Sequence, residues 1–495
     1  MNNWLSRIPK EYLAYLALAV WGGMAFMLLN KTNYGLDEGG AHALLLVWSV
    51  ADGVVSSIVT LGLPDFRTLF FIPAGVLWTG NVVAAKMTSM LVMAMVAWAL
   101  HNWRKLDKEQ EESSLLATGL LLISPLTLHQ IDAISVAPFL LFVFAMGAWT
   151  DKIYRESKQA LGGMYFAQIF LCLISVTLHP MGLAYPLVLL WTWYKNPLDK
   201  ERRNYLFAGI LSALVIALVL TMGWRHVEWF ANPVGAASSL LLGPSDGGDL
   251  GIDGWIFGVG MLCLLLWIVI SQAVGLWADL LGRILLAALV IGLFVGDEIF
   301  GMVALVLVLY WGLPMLLSRP VNEQGGFWRQ RGIALILIFV VSTVYMLNDK
   351  ASYQAVLLGE LSPRDTLIRA FVENAAGIQK DETAHAQAHG NDAQGKAHQL
   401  RVASQWPGAT MLACRCDALP LPPEARDSAA LYAMLKGVDY LLFDPHNPAN
   451  RSLSRNLATM QAGLVETVDL RKGGVIVQVG RQAIMPAPAA VKQGS

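Results

Sequence analysis

Asp37 and Glu38 stand side by side in Asn33-Tyr34-Gly35-Leu36-Asp37-Glu38-Gly39-Gly40-Ala41-His42, directly after an apolar run long enough to cross a bilayer. Neighbouring carboxylates at a membrane edge repel each other and lose hydration unless a metal ion, a cationic side chain or a proton to be removed uses their charge. The chemistry such a pair offers is general-base attack on a hydroxyl, or metal binding. An ordinary acidic interfacial loop is the other reading of this stretch alone. Asp132 is a further isolated acid, with His129 three residues before it and so beside it on a helical turn. Glu38, Asp132 and His129 are therefore the candidate ligands for a divalent metal. His179, Arg225 and His226 are candidates for holding an anionic group, although a His before a proline, as His179 is, is more often a cap. Asp297-Glu298 forms a second acid pair, with a solvated helix end as its bland reading.

The elements that must position these residues are membrane helices. The chain has 495 residues, 56% hydrophobic and only 14% charged, with a mean hydropathy of +0.52, which is too apolar for an ordinary soluble protein. A net charge of -1 argues against a nucleic-acid partner, because no basic excess is available for phosphates. The first apolar run, 11–30, lacks a following cleavage site and reads as a retained anchor. Residues 41–61 are expected to lie at the interface, and 69–78, broken by Pro73 and Gly75, to be re-entrant or interfacial. Further crossings fall near 83–103, 115–128, 133–150, 164–178, 182–194, 206–224, 255–275, 284–296, 300–317 and 332–348, about eleven in all.

Charge alternation orients them. One set of loops holds Arg104, Lys105 and Lys108, then Lys152, Arg155 and Lys158, then Lys195, Lys200, Arg202 and Arg203, while connections 129–132, 179–182 and 297–300 lack Lys and Arg. The positive-inside bias puts the N-terminus in the cytoplasm and Asp37, Glu38, His129, Asp132, His179, Arg225 and His226 outside. Lys86, inside a crossing, calls for an acidic partner and reads as structural.

Residues 1–348 thus form a transmembrane domain, and 349–495 a small outside α/β domain at the outer face of the inner membrane. Within it Ala409–Ala413, Val438–Phe443 and Val475–Val479 are expected as strands, with helices over Ser428–Leu435 and Ser452–Met460. Cys414 and Cys416 form a C-x-C too sparse for zinc without further ligands. His385 and His389 have metal-compatible spacing, but a solvated segment explains them.

Leu36-Asp37-Glu38 after the first crossing, the proline-and-aromatic segment Pro73 to Trp78, Asp132 in the next outside loop, and Leu435-Lys436-Gly437-Val438-Asp439-Tyr440-Leu441-Leu442-Phe443 near the C-terminus together resemble the C-type glycosyltransferase (GT-C) superfamily. That superfamily includes protein O-mannosyltransferases, lipid A aminoarabinose transferases and oligosaccharyltransferases. Where the aminoarabinose branch has a basic, proline-rich segment, this chain has Asp65-Phe66-Arg67 with one basic residue. The resemblance implies a GT-C-like polytopic helical fold and inverting transfer of a sugar from a polyprenyl-phosphate donor in the membrane to a glycan, lipid or protein acceptor. On that reading Asp37 is the general base, Glu38 and Asp132 assist it, and His129, His179, Arg225, His226 or a divalent metal meet the leaving phosphate. A transporter or flippase of a polar or lipid-linked substrate is the competing reading. Inverted repeats and charges near the midplane would favour it, whereas the charges here gather on one side.

The topology makes a direct prediction. In a background with the native cysteines replaced, Ser245→Cys should react with a membrane-impermeant thiol reagent added outside intact cells and Ser157→Cys should not. The reverse pattern inverts the orientation.

Overall fold

The computed structural model describes residues 10–29, 31, 34–51, 67–78, 80–105, 111–157, 162–195, 200–220, 252–295, 298–314, 364–373, 400–422, 424–445, 447, 450–460, 465–470 and 474–479. Two compact units divide the chain: residues 1–32 with 42–360, and residues 33–41 with 361–495.

The first unit is helical. Its described helices are Lys10–Leu28, Glu38–Ala51 (from His42 onward), Arg67–Leu77, Val82–Lys105, Glu111–Ile123, Pro125–Asp132, Ala137–Ser157, Gly162–Leu178, Ala184–Lys195, Lys200–Leu220, Ile252–Ser271, Ala273–Ala278, Leu280–Val295 and Glu298–Leu307. Val82–Lys105 begins where Asn81 Oδ1 accepts the Val83 and Ala84 amides at 3.0 and 3.3 Å, meeting orphan donors of the first turn. Buried Ala94 and Ala97 on it, and Ala145 and Ala148 on Ala137–Ser157, let the two helices run close together. Trp98 and Trp149 meet edge-on between them at 4.8 Å. The first helix docks through Trp21, whose indole N–H donates to the Leu122 carbonyl at 2.8 Å.

Several crossings differ from expectation in ways that proline chemistry explains. Residues 115–128 are not one straight helix: the helix stops at Ile123 and resumes as Pro125–Asp132, with a 53° bend between the pieces. Pro125 lacks the N–H to continue the ladder and biases Ser124 away from helical angles, which leaves Ser124 at ψ 131°. The 182–194 crossing begins as a 3-10 turn, Pro180–Leu183, before Ala184–Lys195. Arg67–Leu77 is helical through Pro73, with Phe70 and Phe71 packed on Phe139 at 5.2 and 5.4 Å.

Among the described residues Val82–Arg104 is long and apolar enough to cross a membrane alone, and the bent pair Ser114–Ile123 with Leu126–Asp132 passes as a broken span. Leu18–Leu28, Phe166–Leu178, Leu280–Val295 and Ile299–Gly312 are shorter apolar helices. The expected crossing at 332–348 lies outside the described residues. Exposed Phe166, Phe170, Leu266, Ile270, Val274 and Trp277 face outward, a surface suited to lipid and costly in water.

Two of the basic residues assigned to inside loops, Arg104 and Lys152, meet at Trp103. Arg104 donates to the Tyr310 carbonyl at 2.9 Å, lies 3.7 Å from Asp279 and stacks over Trp103 and Trp311, while Lys152 donates to the Trp103 carbonyl at 3.1 Å. Lys86 sits eighteen residues before Arg104 on the same helix, roughly 27 Å away along its axis.

The second unit holds a five-stranded mixed sheet, ordered β2-β1-β3-β5-β4, built from β1 (Arg401–Ser404), β2 (Asp417–Pro420), β3 (Tyr440–Phe443), β4 (Val465–Leu470) and β5 (Gly474–Val479). β1 pairs in parallel with β2 and β3, whereas β5 is antiparallel to β3 and β4. One face packs on the helix 364–373 through Leu367, Ile368 and Phe371; the other buries Leu431, Leu435, Leu441, Phe443 and Val477. Helices Ser428–Met434 and Arg451–Ala458 and strands β3 and β5 lie where the pattern placed them. The expected strand Ala409–Ala413 is instead part of a helix, Pro407–Cys414. Pro407 fits the first helical position and Ala, Met and Leu favour the helix, but five apolar residues cannot by themselves distinguish the two periods. Cys414 and Cys416 are joined by a disulfide.

Gly182 is where close approach matters most, since a Cβ there would overlap the Ser175 carbonyl oxygen, while a Cβ on Gly119 would meet nothing within 4 Å. Gly182→Ala should therefore abolish the monodisperse detergent-solubilised protein or sharply lower its thermal midpoint. Gly119→Ala should leave both unchanged.

Candidate functional site

The acidic loop belongs to the second unit and is held there from several directions. Gly35, at φ 80°, makes the turn that brings Leu36 into a buried position. The Gly35 amide donates to Asp365 Oδ2 at 3.0 Å, and Arg364 donates to the Leu36 carbonyl at 2.7 Å. Arg364 and Asp365 also pair with each other at 3.4 Å. Tyr34 packs against the core beneath. Burial pushes its phenol above its ordinary value, the Arg369 guanidinium opposes this, and Glu373 and Asp365 add to the rise, so Tyr34 stays neutral.

Asp37 is exposed, and its carbonyl accepts the Ala41 amide at 2.9 Å, starting the helix Glu38–Ala51. Glu38 turns the other way: its two carboxylate oxygens accept the Gly408 and Ala409 amides, the latter at 3.2 Å. The two acids, indistinguishable in sequence, are thus placed differently.

Asp132 ends the helix Pro125–Asp132 in the first unit, and its Oδ1 lies 2.9 Å from Lys86 Nζ. Both side chains are buried, Lys86 completely and Asp132 at 2% exposure, so each neutralises a charge that would otherwise be costly at that depth. The connection that follows is constrained. Ile134 adopts φ 56°, an unusual angle for a β-branched residue, and its carbonyl accepts a hydrogen bond from Arg67 at 3.2 Å. Ser135 bonds the Gln130 side chain, and its Oγ accepts the Ala137 amide at 3.1 Å, capping the next helix.

Arg67, noted in the sequence only as the lone base of its segment, thus helps fix the turn next to Asp132. The available signal was a guanidinium directly before an apolar helix, which must find acceptors but does not say which.

His129 is half-buried on the same helix as Asp132. His179 is buried as the cap of the Pro180–Leu183 turn, with Nδ1 accepting the Met181 amide at 3.2 Å, so that the proton of a neutral ring is on Nε2. Arg225, His226 and Asp297 lie outside the described residues, as do His385 and His389.

Among the described residues no group of three or more His, Cys, Asp and Glu side chains is placed to hold a metal ion. Glu38 accepts from two backbone amides, and Asp132 pairs with Lys86.

No protein-family model matches the chain, and no curated protein matches it. Solved structures that share its fold include two at nearly full coverage. One is the archaeal oligosaccharyltransferase AglB from Archaeoglobus fulgidus, in complex with an inhibitory peptide and a dolichol-phosphate: 11% identity, TM-score 0.52, covering 97% of this chain and 75% of that one. The other is ArnT from Cupriavidus metallidurans bound to undecaprenyl phosphate: 13% identity, TM-score 0.52, covering 97% of this chain and 100% of that one. In both cases the likeness spans nearly the whole of this chain, which shares their fold.

The buried pair makes its own prediction. Lys86→Met, which strands the Asp132 carboxylate, should destabilise the protein by about 3–5 kcal/mol. Adding Asp132→Leu should restore most of that loss, read by thermal unfolding in detergent.

Proposed function

We propose that this chain is an inverting glycosyltransferase of the cytoplasmic membrane, moving a sugar from a polyprenyl-phosphate donor to an acceptor hydroxyl or amide at the outer face. The observation that carries this reading is the fold likeness spanning 97% of the chain to two enzymes, one bound to dolichol-phosphate and the other to undecaprenyl phosphate. In support of it, the acid after the first apolar helix is exposed and sits on a loop tied down on both sides.

In this mechanism the acceptor oxygen or nitrogen attacks the anomeric carbon from the face opposite the phosphate. The bond from that carbon to the phosphate oxygen breaks as the new bond forms, and polyprenyl phosphate departs with the electron pair. Asp37 takes the acceptor's proton in the transition state, which a carboxylate within hydrogen-bond reach does without prior ionisation of the acceptor. Asp132, paired with Lys86, serves to fix the helix end on which it stands. Arg225 and His226 remain candidates to meet the phosphate charge, and His129 and His179 are further candidates. In this reading the N-terminus faces the cytoplasm, and residues 349–495 lie outside.

The decisive assay uses purified protein in lipid nanodiscs with a panel of polyprenyl-phosphate sugars and lipid, glycan and peptide acceptors. Wild type should give a product of inverted anomeric configuration, and Asp37→Asn should lower turnover by about 10²- to 10⁴-fold while remaining folded. Full activity in Asp37→Asn removes the base assignment. No turnover with any donor, together with substrate-dependent proton flux in liposomes, replaces the transferase with a transporter.

A further inference from the structure

The sheet of the second unit has a switch in strand order. From β1 the chain passes through the helix Pro407–Cys414 to β2 on one side, and from β2 it crosses back through Ser428–Met434 to β3 on the other side of β1. In open sheets with parallel strands, ligands bind beyond the carboxyl ends of the strands at such a reversal, often as anions on the first amides of the following helix. Here that helix begins three residues after the end of β1, and it has Pro407, without an N–H, at its first position. Thr410 donates to the Trp406 carbonyl at 2.9 Å, already inside the helical ladder. The Gly408 and Ala409 amides are therefore the first-turn donors that call for an outside acceptor. The two oxygens of Glu38 take them, one each.

We infer that the switch-point crevice of the C-terminal sheet is a receptor for the chain's own Glu38 carboxylate, and that Glu38, Asp365 and Arg364 are positioning residues for Asp37. The inference rests on the reading of Asp37 as the base. The anchors fall on Gly35, Leu36 and Glu38, on both sides of Asp37. A carboxylate on a helix N-terminus is a charge-assisted contact reinforced by the helix dipole. The far end of the same helix is closed by Arg415 in the left-handed region, φ 53°, with its amide on the Met411 carbonyl at 2.9 Å, and by the Cys414–Cys416 disulfide. The receptor amides thus stand on a helix held at both ends. The second unit contributes to transfer by keeping the base-bearing loop in one place, a proximity effect that acts on turnover more than on donor affinity.

Hydrogen exchange and kinetics on the full-length protein in nanodiscs test this together. Glu38→Ala should speed exchange of the peptide covering 405–411 by about tenfold and lower kcat by at least about tenfold, with the donor KM unchanged within about twofold. Glu38→Gln, whose side chain keeps one acceptor oxygen, should fall between wild type and Glu38→Ala in both readouts. Asp365→Asn should speed exchange at Gly35 and lower kcat in the same sense, which gives a second route if Glu38→Ala does not fold. Arg369→Ala, on the same helix as Asp365 but paired with exposed Glu373, should change neither kinetic constant. Loss of kcat with unchanged exchange over 405–411, or a rise in donor KM alone, overturns the positioning role and makes Glu38 a direct substrate contact. Faster exchange with undiminished kcat also overturns it. Full transfer by Asp37→Asn is a separate outcome that removes the base, so failure of the two readings can be told apart.

Discussion

An ionised side chain in apolar surroundings must be matched, and the described parts of this protein are arranged around that constraint. Lys86 and Asp132 lie on different helices, both essentially out of contact with solvent, and each gives the other the counter-charge it needs. Their contact joins the start of Val82–Lys105 to the end of a broken helix, Pro125–Asp132. Arg67 extends the same logic by meeting the carbonyl of Ile134, a residue in a costly backbone conformation. At the opposite end of Val82–Lys105, Arg104 and Lys152 settle over Trp103 and on backbone carbonyls.

The second unit answers the same constraint with backbone dipoles. Glu38 is neutralised by two amides at a helix N-terminus, while Asp365 is buried against Gly35 and Arg364. The adjacent acids are thereby placed differently. One accepts the first amides of a helix, and its neighbour is exposed. Mutual repulsion between the two carboxylates is reduced because one of them is already matched.

How a fold can persist at 11–13% identity follows from where the constraints fall. Helix packing in an apolar medium asks mainly for small residues at contacts and apolar ones outside, which many sequences satisfy. Specific demands are confined to a few points: a proline that breaks a helix at Pro125, a glycine without room for a Cβ at Gly182, and a buried charge with its partner. The chemistry-bearing residues are similarly few.

From the sequence alone the predominance of apolar helices, the strands β3 and β5 and the need for Lys86 to find an acid were legible, because each follows from local composition, periodicity or the cost of a charge in an apolar run. The acid that Lys86 chooses was not, since Asp132 is forty-six residues away and nothing local marks the pairing. Nor could the sequence separate Asp37 from Glu38, show that Ala409–Ala413 belongs to a helix, or show that Arg67 supports the turn after Asp132. Those outcomes depend on amides, carbonyls and charges brought together from distant parts of the chain. Hydrogen-bond and ion-pair partners are fixed by three-dimensional proximity, and only the tertiary structure decides that.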